Sequence, residues 1–115
     1  MIKINSTNRE LSKVDIYQMT RSKAIISVKD MEDGLAVKPD TWVLFTKVDE
    51  ESGEASDLLS FNDSVTGAIY ATQSKTFMRD FADIASIMDG DPFTLIKCSG
   101  NSKNGRSFVY CTLEA

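Results

Sequence analysis

The chain contains no histidine. That removes the side chain most often used as general acid or base, and the most common metal ligand. Ser-His-Asp and Cys-His nucleophile systems and the HExxH zinc motif are therefore impossible within its 115 residues. Cysteine is scarce: Cys98 and Cys111 are the only two, they form no CxxC, and two thiolates without histidine make a poor zinc site. No P-loop and no GxGxxG occurs. The two prolines and six glycines argue against a collagen-like or low-complexity chain. No apolar run approaches the roughly 20 residues needed to cross a bilayer, and residues 1–10 are polar, without the apolar centre of a signal peptide. The expectation is a protein of a reducing cytoplasm, without catalytic activity, metal, cofactor or membrane partner.

What is present is ordinary globular usage, with 42% hydrophobic and 26% charged residues. At this length one domain spanning 1–115 is expected, with a modest core and little room for a large substrate cavity. The net charge of −4 disfavours nucleic acid as a partner when taken alone. The charge is uneven, however. Asp49, Glu50, Glu51, Glu54 and Asp57 fall in one short stretch without a base, and the rest of the chain is slightly positive without them.

Along the chain, residues 1–22 read as a polar N-terminal arm (1–11) followed by a short helix over roughly 12–20. Ser12 with Asp15 three residues on resembles a capping box. Residues 23–31 are ambiguous between strand and irregular chain, and Asp33-Gly34 marks a turn. Thr41 to Lys47, rich in β-formers, reads as a strand, and the acidic stretch after it as a surface loop. Leu58 to Phe61 and Gly67 to Thr72 read as two further strands. Then the period changes. Ser74 is a good N-cap, and Phe77, Phe81, Ile84 and Met88 recur at helical spacing as one apolar stripe, which predicts a core-facing helix over 75–88. Asp89-Gly90-Asp91-Pro92 stops it. Phe93 to Cys98 and Ser107 to Leu113 read as a closing hairpin, with Asn104-Gly105 a strong turn signal.

Three strands, a helix and a two-strand hairpin is the element order of the OB-fold. The expected architecture is therefore mainly β: a five-stranded, OB-fold-like Greek-key barrel with one helix between strands 3 and 4 and a short N-terminal helix. An α+β sheet with one helix across it is the alternative.

Alternation separates the faces of each strand. Phe108, Tyr110 and Thr112 oppose Val109, Cys111 and Leu113. Thr94, Ile96 and Cys98 oppose Phe93, Leu95 and Lys97. Trp42, Leu44 and Thr46 oppose Val43, Phe45 and Lys47, and Tyr70 opposes Ile69 and Ala71. Several strands thus offer an aromatic opposite an aliphatic face. Unpaired bases stack on such rings whatever their identity, and neighbouring cations neutralise phosphates. Trp42, Tyr70, Phe108 and Tyr110 are the candidate stacking platforms. Lys47, Lys97, Lys103 and Arg106 are the candidate phosphate contacts. Against this stands the ordinary role of strand aromatics as core and of turn cations as solvated charges. The cysteines read as small buried hydrophobes. With the hairpin centred on 102–103, Cys111 falls opposite about residue 94, roughly 13 Å from Cys98 and too far for a disulfide.

The run Ala71-Thr72-Gln73-Ser74-Lys75-Thr76-Phe77-Met78-Arg79-Asp80-Phe81, then Pro92-Phe93, then Ser102-Lys103-Asn104-Gly105-Arg106-Ser107-Phe108-Val109-Tyr110-Cys111, resembles small single-stranded-DNA-binding proteins of phages and conjugative elements of Gram-positive bacteria. The resemblance covers roughly residues 40–113. It implies an OB-fold, no cofactor, and protection of single strands during replication or transfer, in the host cytoplasm if phage-encoded. Bacterial housekeeping single-strand binders end in an acidic tail that recruits partners. Here the sequence stops at Thr112-Leu113-Glu114-Ala115, so that recruitment is not expected. The expectation is a sequence-tolerant single-stranded DNA binder, RNA not being distinguished, and a homo-oligomer through strand edges and the N-terminal helix. Its acidic loop 49–57 should point away from the groove. The alternative is a small phage or mobile-element protein that binds a host protein through that loop.

Overall fold

The computed structural model describes residues 1–114. Strands and helices follow in the order β1 (Ile2–Thr7), α1 (Lys13–Thr20), β2 (Ile26–Ser27), β3 (Ala36–Val37), β4 (Trp42–Val48), β5 (Ala55–Asn62), β6 (Ile69–Thr72), α2 (Lys75–Met88), β7 (Leu95–Asn101) and β8 (Ser107–Leu113). A single 3₁₀ turn, Val28–Asp30, follows β2. The strands form a five-stranded sheet of order β1-β4-β5-β6-β2 and a three-stranded sheet of order β3-β7-β8. The protein is thus mainly β, as expected, but the two sheets are not closed into a barrel by hydrogen bonds among the described residues. No helix among them is long and apolar enough to cross a membrane.

The first departure from the sequence reading is at the N-terminus. Residues 2–7 are not a loose arm; they form β1, antiparallel to β4 from Ile2↔Lys47 to Thr7↔Val43. Ile2 and Ile4 turn one face of this strand onto the small core of Met19, Val43 and Phe45, which anchors an otherwise polar segment. Asn5 adds a hydrogen bond to the Thr46 hydroxyl at 2.8 Å. The helix that follows is the expected one. Ser12 Oγ accepts from the Asp15 N–H, and the Asp15 carboxylate accepts from the Ser12 N–H, closing the capping box.

The run 36–48 joins the two sheets. Its first part, β3, pairs with β7, and after Pro39 its second part, β4, pairs with β5. The corner is held by Asn62, whose side-chain oxygen accepts from the N–H groups of Asp40 and Thr41 at 2.9 and 3.0 Å. β4 is covered on both sides. Val43 and Phe45 face α1, while Trp42 and Leu44 face the main core beneath α2. A strand buried on both faces reads as a continuous apolar run, which is what Trp42 to Phe45 supply.

α2 begins where expected. Ser74 Oγ accepts from the Phe77 N–H at 3.2 Å, and the helix ends at Asp89 in the left-handed region (φ 45°). Its stripe sinks Phe77 and Phe81 into a cluster with Phe61, Tyr70, Leu95 and Cys111, between the two sheets. On the opposite face of β5 the Ser60 hydroxyl is fully buried and finds no partner among the described residues, a small standing cost to stability.

Candidate nucleic-acid interface

The β7–β8 hairpin carries the densest set of expected binding residues. Its ladder runs from Leu95↔Leu113 to Asn101↔Ser107. The turn is closed by Ser102 N–H to Arg106 O (2.8 Å), Gly105 N–H to Ser102 O (2.9 Å) and Arg106 N–H to Ser102 Oγ (3.2 Å). Gly105 sits at φ 76°, a conformation open to glycine at little cost. The turn presents Lys103 and Arg106 to solvent, and neither forms an ion pair among the described residues. From 95 to 113 the hairpin contains three cations and no acid.

Its outer face is aromatic. Phe108 and Tyr110 stand side by side, ring centroids 5.8 Å apart and planes at 37°. Phe108 is 37% exposed and Tyr110 half-buried. Gly100 lies opposite Phe108, and a Cβ there would sit 2.7 Å from Phe108 Cζ. Glycine at 100 therefore lets the Phe108 ring lie down over the neighbouring strand. Cys98 lies opposite Tyr110 on the same face.

The other expected residues go elsewhere. Lys97 is not a phosphate contact on this face: it is only 4% exposed. Its Nζ donates to Asp33 Oδ1 at 2.7 Å, to Met31 O at 2.9 Å and to Ser99 Oγ at 3.1 Å. It clasps the loop 31–35 onto β7, and it shares the inward face with Leu95, as alternation required. Tyr70 is not a platform either. It is 7% exposed and lies against Phe61 at 5.7 Å, and burial pushes its phenol up, with Asp63 adding to the rise. Trp42 is half-buried, edge-on to Phe81 at 5.4 Å. Lys47 is exposed, but at the far end of β4, in a groove with Arg21, Asp49, Glu50 and Glu54. The structure thus brings together Lys103, Arg106, Phe108 and Tyr110, and leaves Trp42, Lys47, Tyr70 and Lys97 apart from them.

The acidic turn after β4 and the cationic turn after β7 lie at opposite ends of the run 36–48, because β7 is antiparallel to β3. The cysteines are free. They are kept apart by face rather than by the expected distance: Cys111 lies opposite Lys97, so Cys98 is its near neighbour but points to the other side of the sheet. Burial pushes the Cys111 thiol up to about 12, with Asp80 and Cys98 adding to the rise, so it stays protonated and inert. No group of three or more potential metal-ligating side chains occurs among the described residues.

The Lys97 clasp has a measurable consequence. The hydrogen bonds from Lys97 and Ser99 hold the Asp33 carboxyl below its ordinary 3.8. A carboxyl that titrates lower in the folded than in the unfolded chain gives stability that is complete above the unfolded value. That stability is lost as pH falls through the folded one. Lys97→Met orphans the Met31 carbonyl and should cost about 1–2 kcal/mol at pH 7. Urea midpoints should show the gap between parent and variant narrowing once the pH drops below 3.8. Equal midpoints at neutral pH would show that the clasp is idle.

Searches with the sequence and the structure return no matching family model, no matching curated protein and no matching solved structure.

Proposed function

We propose that the protein is a sequence-tolerant binder of single-stranded DNA, acting without catalysis in the cytoplasm during replication or transfer of a phage or mobile element. The observation that carries this reading is the acid-free hairpin, with two adjacent outward rings and two free cations at its turn. Rings that stack any base, beside charges that meet any phosphate, are what sequence-tolerant binding requires. A catalytic reading has nothing comparable in its favour.

The fold belongs to the same proposal, as an open relative of the five-stranded OB barrel. The bent run 36–48 takes the place of the first strand, shared between both sheets. β5 and β6 follow it, α2 lies between the third and fourth strands, and β7–β8 closes the set. The β6–β8 seam, which would complete a barrel, is instead a groove of about 470 Å³ lined by Ala71, Thr72 and Val109. β1, α1 and β2 are additions to this frame.

The test is a titration of labelled oligo-dT with the full chain at two salt concentrations. Neutralising two phosphates with Lys103 and Arg106 gives a single-strand salt slope of about −1.4, a loss of about sevenfold between about 50 mM and about 200 mM salt. Replacing both cations by glutamine should flatten that slope. No binding at low salt, or binding indifferent to salt, would end the proposal.

A further inference from the structure

A second aromatic site lies at the other end of β8. A cleft of about 510 Å³ opens between the corner 38–40, the turn after β5 and the turn 90–92, walled by Pro39, Trp42, Pro92 and Phe93. That volume falls within the range of small-ligand sites, and the aromatic walls fit the same class. Trp42 is fixed through its backbone: its N–H donates to Asn8 Oδ1 at 2.8 Å, and its carbonyl accepts from the Thr7 hydroxyl at 2.9 Å. Its indole leans edge-on against Phe81 and lies 5.6 Å from Phe93, so the ring is held while part of it lines the cleft.

Three charges rim the opening. The Asp40 carboxylate is engaged, accepting from Asn62 Nδ2 at 2.6 Å and from the Thr41 hydroxyl at 3.1 Å. Lys38 and Asp91 form no ion pair among the described residues. The donors to Asp40 are neutral, so one free ammonium, Lys38, stands among two carboxylates, Asp40 and Asp91, around an aromatic slot. A neighbouring groove of about 400 Å³ shares Lys38, Pro92 and Phe93, and extends to Leu113 at the end of β8. It touches the end of the strand that bears Phe108 and Tyr110, on the face opposite those rings, and Glu114 adds a carboxylate to its lining.

We propose that this cleft is a one-base subsite that selects guanine from a bound single strand. The base lies against Trp42, its Watson–Crick edge meets the Asp91 carboxylate, and its phosphate meets Lys38. The inference rests on the single-strand reading above but uses a separate surface. Unpaired bases are read in this way, by stacking on a ring and by hydrogen bonds to the exposed edge. Guanine alone offers two adjacent N–H donors, N1–H and the 2-amino group, matched to the two oxygens of one carboxylate. Adenine and cytosine set a single amino donor beside a ring acceptor that a carboxylate repels. Thymine sets one N–H between two carbonyls.

Trp42 is the only tryptophan, so its single indole N–H resonance in NMR reports this cleft alone. The full chain is titrated with GMP and with AMP, and in parallel with labelled dT oligomers carrying one central guanine or one adenine. GMP should shift the indole signal, and guanine should bind about tenfold tighter than adenine. Asp91→Asn should erase that preference while leaving plain oligo-dT affinity within about twofold, since the hairpin rings are elsewhere. Equal response to GMP and AMP, or a preference that survives Asp91→Asn, overturns the subsite. Oligo-dT binding without guanine preference overturns the subsite alone. Guanine preference without oligo-dT binding overturns the single-strand reading and leaves a nucleotide site in the cleft.

Discussion

Replacing Phe108 and Tyr110 together by alanine should lower oligo-dT affinity by about a hundredfold or more, while the fold survives. Each stacked base is worth about 1–3 kcal/mol on its ring, and two rings near the low end of that range already supply the hundredfold. Both side chains lie on the outer face of the hairpin, and neither belongs to the buried cluster under α2. Their loss removes two cross-strand contacts, with Gly100 and with Cys98, a cost to stability of about 2 kcal/mol at most. Because the rings touch, the single variants should not sum to the double. Phe108→Tyr and Tyr110→Phe keep a flat ring at each place and should restore binding. Fluorescence anisotropy reads the affinity and a thermal melt reads the fold. A double variant that melts normally and still binds within about threefold of the parent would remove these rings from the function.

The hairpin gathers half of the residues that the sequence singles out: Lys103, Arg106, Phe108 and Tyr110. Their placement on the turn and outer face follows from local signals. Asn104-Gly105 announces the turn, alternation sets Phe108 and Tyr110 on one face, and the stripe Phe77, Phe81, Ile84, Met88 announces α2. The placement of the others depends on partners far away in the chain. Lys97 shares a face with Leu95 by alternation, yet a lysine in a strand is ordinarily taken for an exposed charge. Asp33 and Met31, which make its burial tolerable, lie 64 and 66 residues earlier. β1 is invisible for the same reason. Its hydrogen-bonding partner is β4, and a polar hexapeptide becomes a strand only because Ile2 and Ile4 find Phe45 and Val43 across that pairing. The hairpin register also slips. A centre at 102–103 sets Cys111 opposite residue 94, whereas the ladder sets it opposite Lys97, and small shifts of this kind decide which side chains are neighbours. Trp42 and Phe45 lie on opposite faces of β4, and because β4 is covered from both sides Phe45 is buried while Trp42 keeps only a partly open ring at the cleft beside Pro92 and Phe93.

The second large effect belongs to the core, and it separates the aromatics that build the fold from those that serve binding. Phe61 is fully buried on β5. Its ring lies 5.3 Å from Phe81, 5.7 Å from Phe77 with planes nearly parallel, and 5.7 Å from Tyr70. It is the piece that ties α2 to the five-stranded sheet. Phe61→Ala should cost about 3–5 kcal/mol, the lost transfer energy plus the cavity left among rigid rings. Set against a total of about 5–15 kcal/mol for a domain, that is enough to leave the variant marginal. Phe61→Leu, which refills most of the space, should cost much less. Tyr70→Ala belongs with Phe61→Ala: a residue that the sequence offers as a platform should lower the melting temperature. Its oligo-dT affinity, measured well below the melt, should stay unchanged. If Tyr70→Ala instead kept the parental melt and lost DNA, the ring would have to reach the surface, and the division between an inner cluster under α2 and an outer pair on β8 would collapse.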